Sequence, residues 1–156
     1  MKYLYVALAA VAAGSVAAGL FFRFAPIAPQ DWHVDPVTVV RPDRDNHYLL
    51  RAEDGHGPAP VFGAEPEKLS FELYEIVSAL PRSEVIAGSA AERHFTVVVR
   101  SQVMGFPDFV TVKAIEADGG SALVIFSRSR YGYSDLGVNK ARVEAWVQEL
   151  EQRLKP

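Results

Sequence analysis

The chain begins with an unbroken apolar segment, and later segments carry hydrophobic residues at regular intervals. Residues 3–22 contain no charged side chain and lie between Lys2 and Arg23. A helix rises about 1.5 Å per residue, so this segment would span about 30 Å, which matches the hydrocarbon core of a bilayer. The pattern therefore predicts a signal anchor, or transmembrane helix, over residues 1–24.

The same segment leaves two questions open, namely whether it is cleaved and how it is oriented. Ala17 and Gly19 would suit a signal peptidase, but the apolar run exceeds the roughly 7 to 15 residues of a typical cleaved signal. Lys2 and Arg23 almost balance, and the short N-terminal tail favours a single-pass protein of the inner (cytoplasmic) membrane with its domain on the periplasmic side. A stripe of small residues would let two such helices pair closely into a homo-oligomer.

Proline dominates the segment that follows the apolar run. Seven of the ten prolines lie between Pro26 and Pro66. Proline and glycine at this density interrupt regular elements, so residues 25–62 are predicted to form a linker and a partly ordered extension. Two pieces of it, WHVDPVTVV (32–40) and NHYLL (46–50), contain aromatic and β-branched residues. We expect both to pack against the domain as short strands or loops.

From residue 63 onward, the spacing of hydrophobic positions changes from helical to strand-like and back to helical. Pro66 suits the first turn of a helix, Pro81 ends it, and apolar residues recur between them every three or four positions. Runs rich in β-branched and aromatic residues follow at 83–87, 94–101, 108–117 and 121–130. An apolar stripe predicts a last helix over Val138–Leu154. We therefore expect an α+β domain over 63–156, in which an antiparallel meander of about four strands has one helix before it and one after it, both on one sheet face.

Composition and charge exclude several classes of function. The chain is 49% hydrophobic and 22% charged, which is typical of a globular protein. Its net charge of -3 argues against nucleic-acid binding, which requires a broad positive surface. The absence of cysteine excludes disulfides, thiolate metal sites and cysteine nucleophiles. The four histidines show none of the regular spacings of metal sites, so we expect neither a metal nor a cofactor.

The segment FSRSRYGYSDLGVNKARVEAW (126–146) concentrates basic residues in an acidic chain. Alternate residues of a strand point to the same face, so Arg128 and Arg130 would lie on one face about 7 Å apart. Such a pair could clamp a carboxylate or a phosphate, and Arg100, near the end of another strand-like run, could join it. Asp135 and Asn139 are candidate caps of the helix that follows, whose N-terminal amides also attract anions.

Two interpretations of this segment remain open. In the first, a small anion or an envelope protein partner binds at six candidate residues: Arg100, Arg128, Arg130, Asp135, Asn139 and Arg142. In the second, the arginines pair with Asp108 and Asp135 and only lock the strand-to-helix turn onto the sheet. Neither interpretation requires catalysis, and no residue is assigned a catalytic role.

The same segment, together with RSQVMGFPDFVTV (100–112), resembles the recurrent motifs of a bacterial and plastid family known as domain of unknown function 1499. The characteristic end of that family consists of serine–arginine repeats, a glycine, then Ser-Asp-Leu-Gly-Val-Asn and a basic helix start. The resemblance covers roughly residues 60–154. Many relatives carry a cysteine–serine motif near the start of the domain, where this chain reads EDGHGPAPVFG (53–63), so any role of that cysteine is absent here. The family's name offers no activity to transfer.

The sequence favours a membrane-anchored envelope protein with a non-catalytic binding or interaction domain. One alternative is an envelope hydrolase or esterase-like enzyme that uses Asp108 or Asp135 beside the arginines. A further alternative is a purely structural envelope protein. An open pocket lined by the arginines would favour binding, whereas arginines fully paired within the protein would favour the structural role.

Overall fold

The computed structural model describes residues 1–155, which form three α-helices, six β-strands and one short 3-10 turn. In chain order the elements are α1 (Lys2–Phe24), the 3-10 turn (Pro29–Asp31), β1 (His47–Leu50), β2 (Val61–Phe62), α2 (Pro66–Ala79), β3 (Ser83–Ser89), β4 (His94–Arg100), β5 (Pro107–Ala117), β6 (Gly120–Ser129) and α3 (Val138–Leu154).

All six strands belong to one antiparallel sheet with the order β1-β6-β5-β4-β3, and β2 pairs with β6 on the same side as β1. Strands β3 to β6 form the predicted meander, with α2 before it and α3 after it, so the α+β fold class is confirmed. The piece NHYLL contributes β1, as expected for a short strand. The sheet is larger than predicted because β1 and β2 come from the proline-rich segment. The division of the chain at residue 63 stays a prediction.

The two helices of the domain cover the same face of the sheet, as predicted. Leu73 of α2 and Leu150 of α3 are fully buried on this face, together with Phe95 of β4 and Ile125 of β6. The apolar residues of each helix form one stripe, and alternate residues of each strand meet it. This two-layer packing is the hydrophobic core of the domain.

Residues 25–45, which we call the strap, cover the opposite face of the sheet. The indole of Trp32 stacks on Phe109 of β5, with 3.7 Å between the ring centroids. The strap contacts β3 near its beginning, and carbonyl groups near its end accept hydrogen bonds from Arg51, which follows β1. The strap therefore crosses the sheet from one edge to the other and adds a layer to the domain.

Helix α1 is long and apolar enough to cross a membrane, with a mean hydropathy of 2.0. Length and composition do not distinguish an anchor from a signal sequence. The last turn of α1 packs against the domain, because the ring centroid of Phe22 lies 4.6 Å from that of Phe106 and 4.8 Å from that of Tyr131. Phe106 precedes β5 and Tyr131 follows β6 closely. We call this end of the sheet, where α1 ends, the anchor end.

Candidate functional site

Arg128 lies beneath the strap and is only 8% exposed. Its guanidinium donates hydrogen bonds to the carbonyl oxygen of Trp32 and to the hydroxyl of Thr111. The guanidinium carbon lies 4.5 Å from the centre of the Phe126 ring and 5.3 Å from the centre of the Trp32 ring. These cation–π contacts compensate part of the hydration that the charge loses on burial. The donors of Arg128 are therefore directed into the protein.

Burial lowers the pKa of Arg128 to about 10, so the side chain still carries its charge at neutral pH. Within residues 1–155, no carboxylate forms a salt bridge with it. Carbonyl, hydroxyl and aromatic groups stabilise the charge instead. Because two of these groups belong to Trp32, Arg128 holds the strap on the sheet.

Arg142 lies on the opposite, helix-bearing face of the sheet. Its Nη2 donates to Asp108 in a largely buried salt bridge of 2.6 Å. Its Nη1 donates to the side-chain oxygen of Asn139 at 2.8 Å and to the hydroxyl of Ser127 at 3.3 Å. The structure thus confirms the predicted pairing of a motif arginine with Asp108. This salt bridge ties α3 to β5.

Asn139 is fully buried at the centre of the same network. Its Oδ1 accepts from the hydroxyl of Ser127 at 2.5 Å and from Arg142. Its Nδ2 donates to the carbonyl oxygen of Asn46 at 3.1 Å and to the hydroxyl of Ser129 at 3.0 Å. A side-chain amide has two N–H donors and one oxygen with two lone pairs, so these four bonds use its whole capacity.

Asp135 accepts hydrogen bonds from the backbone amides of Gly137 at 3.1 Å and Asn139 at 2.7 Å. Burial alone would raise the pKa of this carboxyl group, but the two amide hydrogen bonds outweigh burial and the pKa is lowered. The residue immediately before α3 is Gly137, so Asp135 caps the helix from two residues farther upstream. The predicted capping role is confirmed in this form for Asp135. It is wrong for Asn139, which is the second residue of α3 and whose side chain binds the sheet instead. Within residues 1–155 no arginine forms a salt bridge with Asp135, so the predicted pairing holds for Asp108 alone.

Arg100 and Arg130 lie on the strap face at the anchor end. Strand β5 separates their strands, so their backbones are two strand spacings, or about 10 Å, apart rather than adjacent. Arg100 donates to the carbonyl oxygens of Phe22 and Gly105, both at 3.4 Å, and Arg130 donates to that of Pro26 at 2.9 Å. Neither pairs with a carboxylate of residues 1–155. A guanidinium has five N–H donors, so both side chains retain unused ones.

The structure therefore distributes the six candidate residues over three places. Arg128 lies under the strap, and Arg100 and Arg130 lie at the end of α1. Asp135, Asn139 and Arg142 belong to the network at the start of α3. The predicted alternation is correct, because Arg128 and Arg130 share a face. Of the four arginines among the six, Arg100 and Arg130 are the two that are partly exposed and form no salt bridge with a carboxylate of residues 1–155.

A family model described as "Protein of unknown function (DUF1499)" matches residues 32–150. The chain belongs to this family. The match begins at Trp32, so it includes most of the strap and β1, whereas the sequence motifs indicated a start near residue 60. No curated protein matches the chain.

Among solved structures, this DUF1499 chain is similar to the X-ray crystal structure of protein CV1439 from Chromobacterium violaceum. The identity is 13%, the TM-score is 0.39, and the alignment covers 71% of this chain and 99% of that chain. A similarity at this level carries no argument about function.

Two residues that hold the DUF1499 motif in place, Trp32 and Asn46, were not predicted from the sequence to have this role. Trp32 offers its carbonyl oxygen to Arg128, and Asn46 donates its side-chain amide to the carbonyl oxygen of Gly132 at 2.7 Å. A signal for Trp32 was present, because an aromatic residue within a proline-rich segment needs an apolar surface to cover. Nothing in the local sequence of Asn46 indicates a partner that lies 86 positions away.

A largely apolar cavity of about 600 Å³ beside the strap is lined by none of the six candidate residues. Val37 of the strap, Val61 of β2 and Ile115 of β5 contribute to its wall. Arg51 lies at this cavity with its donors already used by Asp54 and by strap carbonyls. Within residues 1–155, no three histidine, aspartate or glutamate side chains are grouped to hold a metal ion.

Proposed function

We propose that this DUF1499 protein is a single-pass membrane protein whose domain is a non-catalytic binding module, with Arg100 and Arg130 as an anion-binding pair. One observation carries the proposal: both arginines lie against the chain at the end of α1, retain unused donors, and have no carboxylate partner within residues 1–155. The proposal includes an inner-membrane location with the domain on the periplasmic side, the orientation that the positive charge of Lys2 before the apolar run favours.

The side chains at the end of α1 favour an uncleaved anchor. Removal of a signal peptide after Gly19 would leave Leu20, Phe21 and Phe24 at the new N-terminus, all more than half exposed to water. An intact α1 places these side chains at the membrane boundary, where aromatic residues are favoured. The hydrogen bond from Arg100 to the carbonyl oxygen of Phe22 then fixes the domain directly to its anchor.

The surroundings of the arginine pair favour an anionic ligand. The guanidinium of Arg130 lies 5.3 Å from the centre of the Tyr131 ring, which restricts its orientation. Arg23, at the end of α1, adds a third positive charge that has no acidic partner within residues 1–155. Glu84 lines the same shallow depression as Arg100 without forming a salt bridge with it. A phosphate or carboxylate group would supply the acceptors that these guanidinium groups lack.

The enzymatic alternative has less support. Asp108 is committed to Arg142, and Asp135 is committed to two backbone amides. A general acid or base needs a carboxyl group that can reach a substrate proton, and neither group is free in this way. The structural alternative agrees with the interior members of the motif, Arg128 and Asn139. Stabilising and binding roles are compatible here because different residues carry them.

Thermal unfolding of the detergent-solubilised full chain with and without inorganic phosphate tests the anion pair. A ligand at about ten times its Kd stabilises the folded state by about 1.4 kcal/mol, which raises the melting temperature. We expect this rise in the wild type and its loss in the double variant Arg100→Gln, Arg130→Gln. The matched control is the double variant Arg93→Gln, Arg153→Gln, which also removes two positive charges. Arg93 lies in the turn between β3 and β4, and Arg153 lies in the last turn of α3. A phosphate effect that survives in the first double variant would exclude the pair as the site.

Fractionation and intact-mass measurement test the anchor. The full chain with a C-terminal tag should remain in the membrane fraction after alkaline carbonate extraction and should have the mass of residues 1–156 plus the tag. A mass that corresponds to cleavage near Gly19, or release by carbonate, would contradict the proposed anchor.

A further inference from the structure

We propose that the anchor end of the domain docks onto the membrane surface, with phospholipid as the partner. The docking face consists of three apolar side chains, Val103, Tyr133 and Leu136, and three arginines, Arg23, Arg100 and Arg130. The inference rests on the proposed membrane anchoring and identifies the anion as lipid phosphate.

The length of α1 fixes the height of the docking face above the bilayer. The apolar run from Tyr3 to Phe22 spans about 30 Å, the whole hydrocarbon thickness, so Phe22 lies at the hydrocarbon boundary. The rings of Phe106 and Tyr131 contact Phe22. The loops 101–106 and 130–137, which contain these rings, must therefore lie at the level of the lipid headgroups.

These same two loops present large apolar side chains to the exterior. Val103 is 85% exposed, Tyr133 69% and Leu136 94%. Single exposed hydrophobic residues are ordinary on a protein surface, and Val40 on the strap is another one. Three of them lie in the two loops beside the end of a membrane helix, and exposed apolar side chains concentrated at one end of a domain mark an interaction site. An interfacial bilayer region accepts apolar and tyrosine side chains together.

The backbone presents Leu136 outward. Leu136 adopts a φ of 54°, in the left-handed region that leucine rarely occupies. The hydroxyl of Ser134 accepts from the Leu136 amide at 3.3 Å, and Asp135 accepts from the next amide, that of Gly137, at 3.1 Å. The turn is therefore held by polar side chains while the apolar one is left without a partner within the domain.

Charge complementarity agrees with a lipid partner. Arg23, Arg100 and Arg130 form no salt bridge with carboxylates of residues 1–155, so each can approach a phosphate group. Of the nearby acids, Asp108 pairs with Arg142 and Asp135 binds amides, whereas Glu84 lines the depression beside Arg100 without forming a salt bridge. Basic residues next to a membrane helix are attracted to anionic lipid surfaces.

A depth measurement on the full chain, reconstituted in vesicles of phosphatidylcholine and phosphatidylglycerol in equal parts, tests the docking face. The sequence contains no cysteine, so Leu136→Cys and Val103→Cys each create one site for an environment-sensitive fluorophore. Asp118→Cys is the matched control, because it lies in the exposed β5–β6 turn at the opposite end of the sheet. We expect nitroxide-labelled lipids to quench the labels at 136 and 103 several-fold more strongly than the label at 118, with a blue-shifted emission at the first two positions.

Equal quenching at all three positions, or none at 136 and 103, would overturn the docking proposal. Retention of the protein in carbonate-washed vesicles is measured on the same samples. Retention without quenching at 136 and 103 overturns the docking face and leaves the anchor intact, whereas loss of the protein from the vesicles overturns both. The phosphate dependence of the melting temperature in detergent reports on the arginine pair independently of either result.

Discussion

Replacement of Asn139 by alanine tests the conclusion that the interior of the motif stabilises the fold. Asn139 is fully buried and makes four hydrogen bonds. Two of its partners keep other contacts after the substitution, because Arg142 still binds Asp108, and the carbonyl oxygen of Asn46 still accepts from the amide of Ser129. The Ser127 hydroxyl loses the acceptor of its O–H but still accepts from Arg142 at 3.3 Å, and the half-buried hydroxyl of Ser129 loses its donor.

The expected loss of stability follows from these two hydroxyl groups. A buried polar group without a hydrogen-bond partner costs about 1 to 3 kcal/mol, and here one buried O–H loses its acceptor and one half-buried hydroxyl loses its donor, so the free energy of unfolding should fall by about 2 kcal/mol. This is a large part of the total of about 5 to 15 kcal/mol that is usual for a domain. It corresponds to a decrease in melting temperature of about 7 °C. Alanine is the better helix former, so helix propensity opposes this loss and cannot be its cause.

The assay is thermal unfolding of the detergent-solubilised full chain, followed by the fluorescence of the two tryptophans. One of them, Trp146, is a buried residue of α3 itself, so its fluorescence reports on this helix directly. The matched control is Lys140→Ala, one residue further along α3, whose exposed salt bridge with Glu144 at 3.8 Å contributes about 0.5 kcal/mol or less. If Asn139→Ala melts within about 2 °C of this control, the network does not stabilise the fold and the structural interpretation of the motif is wrong.

Two further predictions concern the strap and the β5–β6 turn. Burial, and to a smaller extent the charge of His94, lower the pKa of His33 in the folded protein below its usual value of 6.5. The stability that neutral His33 contributes is therefore fully present above pH 6.5 and is lost as the pH falls from 6.5 toward the pKa of the folded state. The melting temperature of the wild type should therefore decrease on mild acidification, and that of His33→Gln should decrease less. A melting temperature of the wild type that does not change with pH would contradict this prediction. Both Gly119 and Gly120 have positive φ, but only a Cβ on Gly120 would clash, because it would lie 2.1 Å from the carbonyl oxygen of Phe62, whereas one on Gly119 would meet nothing within 4 Å. We therefore expect Gly120→Ala to lower the free energy of unfolding by about 3 kcal/mol or more, and Gly119→Ala by about 1 kcal/mol. Equal urea midpoints for the two glycine variants would show that the close approach of β2 does not matter.

Local patterns were sufficient for most of the regular structure. The two-residue period of strands placed Arg128 and Arg130 on one face, and the apolar stripe of the last helix gave the bounds observed for α3, Val138–Leu154. These patterns are reliable because each depends on neighbours within one or two turns or pleats. The position of the strap could not be predicted in this way, because a proline-rich segment has no periodic pattern of hydrophobic residues. Its conformation is fixed by tertiary contacts such as that of Trp32 with Phe109.

The apolar N-terminal helix, the α+β class, the family and the list of arginines with binding chemistry could all be predicted from the sequence. Which of those arginines are buried, paired with a carboxylate or left partly exposed depends on the tertiary structure. The deciding partners are distant along the chain, 96 positions for Arg128 with Trp32 and 104 for Arg130 with Pro26. Local sequence specifies that a strand carries a guanidinium group on a given face. The hydrogen-bond acceptors that meet the group there are set by how remote segments cross the sheet.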